Sequence, residues 1–301
     1  LRLLSRTTLV PRAVRITPDA VGGVPGEWLH HGEAPPVRAG TLLYLHGGAY
    51  CVGSPATHRA LTARLAQGTG VPVFAADYRL APQHRFPAAL EDALAAYRAL
   101  RMQGPVVVAG DSAGGGLALS LALALREAGE APPAGLLLLS PWADVAPEVA
   151  PDEPPGEAML SAAWAQACAA HYLGPTPDAR AWMASPLKAD LRGLLHGQAL
   201  ALHEGLKAAG VDSHCDITER RWHVFQLHGG ALRSADEAMA RLTRFARQRL
   251  DAVAEPRHSE LEVVIMGAGM SGVCMGMGLN RAGITNWVIL EKQPGVGGTW
   301  W

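Results

Sequence analysis

The chain has 301 residues and a formal net charge of −1 at neutral pH, enough for one large α/β domain or two smaller ones and no electrostatic case for nucleic acid or an anionic membrane as partner. No apolar run reaches the length of a transmembrane helix, and the start lacks the basic-then-apolar pattern of a secretion signal. Cys51, Cys168, Cys215 and Cys274 are scattered without a C-x-x-C pair, which fits reduced thiols in a cytoplasmic protein and neither a disulfide framework nor a zinc or other metal site.

In chain order, V-R-I-T-P and then G-G-V-P-G-E-W-L predict a first hairpin within residues 1–40. Thr41–Leu45 is an apolar strand that runs into His46-Gly47-Gly48-Ala49, and Val71–Leu80 is a second buried strand. A helical pattern from Pro87 to Arg101 leads to P-V-V-V-A, then to G-D-S-A-G-G at Gly110–Gly115, then to a strong helix former. Gly135–Trp142 reads as a further buried strand. Strands alternating with helices predict an α/β fold whose mostly parallel sheet is flanked by helices.

The later chain is looser. Ala146–Glu157, rich in Pro and acidic residues, reads as a surface loop and Leu160–Leu173 as a helix. Between Leu187 and Val211 there is no Val, Ile, Thr, Tyr, Phe or Trp. That stretch predicts a helix ending on Gly210, and no strand. Ser213–Glu219 is expected to form a short strand, and Ser234 to cap a last amphipathic helix, Ala235–Leu250.

A buried strand, a small-residue corner and a helix form the context of a nucleophile elbow, G-x-S-x-G, with Ser112 at its apex. Gly110 and Gly114 leave room for a turn that a side chain would crowd. Ester hydrolysis through serine needs a nucleophile, a base and donors for the oxyanion. The expected donors are the N–H groups of Gly47, Gly48 and Ala113. Of the 12 histidines, His223 is the expected base, because it follows a late strand and precedes the last helix in the order Ser, acid, His. His228 is read as surface, and His58, His84, His196, His203 and His214 as solvated-face or loop residues.

L-Y-L-H-G-G-A-Y, D-Y-R-L-A-P, G-D-S-A-G-G, L-S-P-W-A-D, A-S-P-L and W-H-V-F-Q occur in that order. Through them residues 1–250 resemble the hormone-sensitive-lipase-like α/β-hydrolases, bacterial carboxylesterases. The resemblance implies Ser112 as nucleophile, His223 as base, Gly47, Gly48 and Ala113 around the oxyanion, and esters of short to medium acyl chains as substrates. No cofactor is implied for the hydrolase. In that family A-S-P-L precedes a buried strand and then the loop bearing the triad acid. Here Leu187 passes almost directly into the next helix, as though one late strand and its loop were deleted. Asp144, after the Gly135–Trp142 strand, is the surrogate acid expected; Asp190, Asp212 and Asp216 are read as surface. A weak esterase, or a non-catalytic hydrolase remnant, follows from that departure.

Residues 251–260 read as a linker to a different unit at 261–301. There Gly267, Gly269 and Gly272 form G-x-G-x-x-G after an apolar strand, and Glu291 ends the next strand near the spacing of a ribose-binding acid. With L-E-K and G-G-T-W, this resembles the opening of a Baeyer–Villiger-type flavin monooxygenase, a truncated Rossmann-type β-α-β start. The resemblance implies FAD on those glycines and Glu291, although so short a piece is not expected to hold FAD alone. An oxygenase that makes an ester beside an esterase suggests a longer fusion of which this chain is a part; separately, the first residue, Leu1, is not Met, which leaves open a missing N-terminus and a lost signal. The expected partner is a small ester; a homodimer is left open.

Overall fold

The chain is described by a computed structural model over residues 10–32, 40–145, 161–175, 181–185, 195–208, 210–218, 221, 223–254, 263–266 and 287–290. β1 (Val14–Val21) and β2 (Val24–His31) form the expected hairpin, turning on Gly22 and Gly23, both in left-handed backbone (φ 61° and 80°). β3 (Thr41–Leu45), β4 (Val73–Ala76), β5 (Val106–Asp111) and β6 (Gly135–Leu139) complete a six-stranded sheet of order β1-β2-β4-β3-β5-β6. The pairings β1/β2 and β2/β4 are antiparallel, and β3/β4, β3/β5 and β5/β6 are parallel. The sheet is therefore mixed, its parallel half carrying the crossover helices.

Period-two alternation divides the core. Leu43 and Leu45, Phe74 and Ala76, and Val106 and Val108 point to one face, where α2 (Ala88–Arg101), α3 (Ala113–Glu127) and α4 (Ala162–Leu173) supply Leu90, Leu117, Leu121 and Tyr172. Leu42, Tyr44, Val73, Ala75, Val107 and Ala109 point to the other. There α1 (Pro55–Thr69) supplies Leu61 and Leu65, and α6 (Arg233–Ala254) supplies Met239, Ala246 and Leu250. Leu42, Leu43, Leu45, Leu61 and Leu65 are fully buried, each contributing roughly 1.5–3 kcal/mol of transfer free energy. Sequence reading assigned no element to α1, whose Thr, Arg and Gln residues obscure its apolar stripe.

The late half departs from expectation. Residues Val211–Thr218 carry no regular structure, so the short strand expected at Ser213–Glu219 is not formed over its described part. Among the described residues the sheet ends on β6. α5 (Leu195–Ala208) is helical as expected, and its Leu202 and Leu206, one turn apart, pack with Leu119, Leu136, Leu138 and Ala143 at that end. The last helix starts at Arg233, so Ser234 is its second residue rather than its cap, and the Ser234 hydroxyl accepts from Arg221 Nε at 2.8 Å.

The chain divides into two units, Leu1–Ala254 and Glu255–Trp301. In the second, β7 (Val263–Met266) and β8 (Trp287–Leu290) pair in parallel, Val263 opposite Trp287 and Met266 opposite Leu290. Gly267, Gly269, Gly272 and Glu291 lie outside the described residues.

Candidate active site

Parallel register brings three strand ends level: Leu45 lies opposite Gly110, and Asp111 opposite Leu139. The loops leaving those ends form the site, as in open α/β sheets generally. Ser112 turns the chain from β5 into α3 with φ 51° and ψ −119°, a backbone state that costs a residue with a Cβ about 1–3 kcal/mol and persists only when its surroundings enforce it. Here they do. Ser112 N–H donates to Leu139 O at 2.9 Å, and Ser112 O accepts from Trp142 N at 2.8 Å and Gly116 N at 3.1 Å. Gly110 and Gly114 meet the expectation: a Cβ would lie 2.3 Å from Gly114 O in the first case and 2.0 Å from Leu45 O in the second.

The loop after β3 is held peptide by peptide. Tyr78 Oη donates to His46 O at 2.6 Å, and the Gly47 N–H of the same peptide donates the opposite way, to Asp111 Oδ1 at 2.9 Å. Gly47 O accepts from His46 Nδ1 at 2.8 Å, and Gly48 O accepts from both Cys51 N and Val52 N at 3.0 Å. In a trans peptide the C=O and N–H point oppositely, so the N–H groups of Gly48 and Ala49 face away from those partners. Among the described residues no hydrogen bond uses Gly48, Ala49 or Ala113 N–H. Ala113 is the first residue of α3, where backbone donors and the helix dipole favour negative charge. The Gly47 N–H, an expected oxyanion donor, is committed to Asp111, while the N–H groups of the two positions after it, Gly48 and Ala49 (φ 51°), make no hydrogen bond among the described residues.

Asp111 is the residue that sequence reading missed. It is fully buried and receives Tyr44 Oη at 2.5 Å and Gly47 N at 2.9 Å on Oδ1, while His58 Nε2 lies 3.4 Å from Oδ2. Burial pushes the Asp111 carboxyl up, but the charge and hydrogen bond of His58, with Tyr44 and Gly47, bring it below its ordinary value. Burial likewise pushes His58 down, and Asp111 outweighs it, leaving the imidazole raised. His58 is 1 % exposed, so its expected place on a solvated face is wrong. A T-H-R triplet at a helix start gives no sign that the helix turns this side inward. The ring of His46 stacks on Tyr78 at 4.3 Å and on His58 at 5.6 Å. Burial first, then the His58 charge, lower His46 to about 4.

His223 lies on the turn before a 3-10 segment, Phe225–His228. Val224 N donates to Ser140 Oγ at 3.4 Å, and Ser140 directly follows the Leu139 that accepts from Ser112. The His223 turn is thereby tied to the strand end beside Ser112. His223 is half-buried, with Nε2 fully enclosed; His228, expected at the surface, is half-buried too. Asp144 is half-buried in the segment leaving β6, whose next residue is anchored by Val145 N to Ser185 Oγ at 2.9 Å. Asp212 pairs with Arg249 and Asp216 with Arg241 on exposed surface, as expected, and Asp190 lies outside the described residues.

α4 forms a wall. Tyr172 stacks face to face on Tyr50 at 3.9 Å and its carbonyl accepts from Phe86 N at 2.8 Å, while Cys51 Sγ lies 3.7 Å from Cys168 O. Trp164 on α4 and Val52 on the loop leave apolar surface exposed. Among the described residues no His, Cys, Asp and Glu cluster suits a metal, and no helix is long and apolar enough to cross a membrane.

The family profile of the alpha/beta hydrolase fold matches residues 42–227, more than half of the chain. The chain belongs to that family. An acetyl-hydrolase of Streptomyces hygroscopicus is 41% identical to this hydrolase over 225 residues, 68% of this chain and 73% of the relative. The ethyl acetate hydrolase of Pseudomonas putida is 33% identical over 241 residues, 72% and 76% of the two chains. Among solved structures, an esterase from the bacterial hormone-sensitive lipase (HSL) family superposes with a TM-score of 0.75 at 36% identity, covering 83% of this chain and 90% of that one. The hydrolase is a serine enzyme of carboxylesterase type, a chemistry that needs no cofactor.

Proposed function

We propose that this hydrolase cleaves small esters with short acyl groups, acetyl foremost, using Ser112 as nucleophile and His223 as base. One observation carries the reading. The strained serine sits at a level strand end where three backbone donors, on Gly48, Ala49 and Ala113, make no other hydrogen bond among the described residues. Ser112 Oγ attacks the ester carbonyl as His223 takes its proton; the developing oxyanion is held by those donors. His223 then protonates the leaving alcohol, and water, deprotonated by the same ring, frees the acid. The acetyl-hydrolase and ethyl acetate hydrolase relatives support the small acyl group.

Asp144 is the acid proposed to orient His223, in place of the segment expected after A-S-P-L. Loss of a triad acid lowers kcat by about 10⁴-fold while leaving hydrolysis above background. The test is turnover of p-nitrophenyl acetate and octanoate by the full chain beside Ser112→Ala and Asp144→Asn. Acetate cleaved faster than octanoate, and lost in Ser112→Ala, is the expected result. A folded wild type as inert as Ser112→Ala overturns the esterase reading in favour of a binding remnant; full activity in Asp144→Asn removes that residue from the triad.

The second unit is proposed as the start of an FAD-binding Rossmann unit of Baeyer–Villiger type, with Gly267, Gly269, Gly272 and Glu291 toward the cofactor. Its support is the parallel pairing of β7 with β8, which requires a crossover between them. Flavin retained by a longer chain and lost with Gly269→Trp is the expected result; a longer chain without flavin affinity overturns it.

A further inference from the structure

We propose that His58 is a positioning residue of the oxyanion hole: as an imidazolium it holds Asp111 in the carboxylate form that captures Gly47 N–H, and so sets the Gly48 and Ala49 peptides. The groups around the ring set its charge. Thr57 Oγ1 donates its one proton to Ser54 O at 2.7 Å and accepts from Ser54 N at 3.0 Å. His58 Nδ1 stands 2.9 Å from that hydroxyl and 3.3 Å from Ser54 O. Ser54 O can only accept, so Nδ1 carries the proton shared with it. On the other side, Asp111 Oδ1 receives two donors, Tyr44 Oη and Gly47 N, an arrangement that favours the carboxylate. Nε2, facing Oδ2, is then a donor as well. Both ring nitrogens donate, which only the cation can do.

The consequence reaches the loop through covalent geometry. Gly47 N–H belongs to the peptide whose carbonyl is bound by Tyr78, and a Cβ on Gly47 would lie 2.2 Å from Asp111 Oδ2. The loop therefore rests directly on the carboxylate. His58 is 1 % and Asp111 2 % exposed, so solvent does not compensate the charge if the imidazolium is removed. Burial alone favours a protonated Asp111, which weakens its hold on Gly47 and frees that peptide to rotate. Gly48 and Ala49 follow, because each peptide plane shares a Cα with the next. His58 touches no substrate; it acts through Asp111.

This rests on the esterase reading for its kinetic arm only. In the full chain, 15N NMR is expected to show both His58 ring nitrogens protonated at pH 7. The Gly47 amide proton is expected well downfield, and to move upfield in His58→Gln. A neutral His58 ring at pH 7 in the wild type overturns the proposal whatever any variant does. In kinetics, His58→Gln is expected to lower kcat for p-nitrophenyl acetate about tenfold or more with KM within about twofold, a part of the ~10²–10³-fold that losing one oxyanion donor costs. The double variant His58→Gln with Asp111→Asn pairs two neutral amides and is expected to recover several-fold of that kcat. A double variant no better than His58→Gln, or a change confined to KM, overturns the proposal in favour of packing. A wild type without esterase activity counts against the function, and the two NMR signals then decide the role of His58 alone.

Discussion

Gly114→Ala tests the contact on which the elbow and the oxyanion loop jointly rest. The added Cβ would lie 2.0 Å from Leu45 O, 2.6 Å from Leu45 C and 2.7 Å from His46 O, all backbone atoms of the strand end that leads into the loop. Carbon and oxygen settle at about 3.3 Å, so roughly 1 Å must open between α3 and β3. Two effects oppose each other. Alanine gains about 1 kcal/mol over glycine within a helix, whereas overpacking costs ~1–3 kcal/mol, and more when the obstructing atoms are backbone that no rotamer change removes. The clash wins, and a net loss of about 2 kcal/mol is expected. A domain of ordinary stability, roughly 5–15 kcal/mol, survives that. Activity suffers more, because the displacement separates Ala113 N–H from Gly48 and Ala49, and a misplacement of ~1 Å costs about 10²-fold in rate. Urea unfolding midpoints and kcat on p-nitrophenyl acetate measure the two effects. A variant within ~0.5 kcal/mol of wild type that retains its kcat would refute the tight elbow and the loop placement built on it.

Tyr44→Phe removes one of two donors to a buried carboxylate oxygen; a loss of ~1.5–3 kcal/mol is expected by denaturant titration, with the fold retained. Leu43→Ala, at the centre of the sheet, is expected to cost about 2–5 kcal/mol, and Leu202→Ala, in the small cluster at the β6 end, the lower end of that range. Equal losses would mean that α5 closes the sheet as firmly as an interior layer does. Stability should fall on both sides of a neutral-to-mildly-acid range, for separable reasons. His46, lowered to about 4, is neutral when folded, so stability declines as pH drops from about 6.5 towards 4, where only the unfolded chain binds that proton. His58 is raised, so its contribution is complete below ~6.5 and is lost as pH rises through the higher folded value. Asp111 is lowered, so its contribution is complete above ~3.9 and is lost only as pH falls through the lower folded value. His46→Gln should flatten the acid limb and His58→Gln the alkaline one, measured as unfolding free energy against pH; an unchanged limb in either variant contradicts its assignment.

What the sequence determined by itself is what local physics encodes. Short apolar runs marked β3, β5 and β6, G-D-S-A-G-G marked a strand-to-helix corner, and the absence of β-branched and aromatic residues after Leu187 excluded a strand where α5 forms. Each signal spans a few residues and needs no partner. Tertiary structure decided the rest. The sequence Ser213–Glu219 suits a strand in isolation, but among the described residues the sheet ends on β6, and the described part of that stretch pairs with no strand and is irregular. Gly47 and Gly48 are equivalent as letters; only the arrival of Asp111, 64 residues later, commits one N–H to structure, while the other makes no hydrogen bond among the described residues. His58 reads as a polar residue near a helix start, and only the packing of α1 against β2 and β4 brings it beside Tyr44 and makes it the buried partner of that acid. A strand or a corner is written in neighbouring residues. The charge on a buried pair and the direction of an amide depend on which distant atoms meet, and that is settled when the sheet closes over its helices.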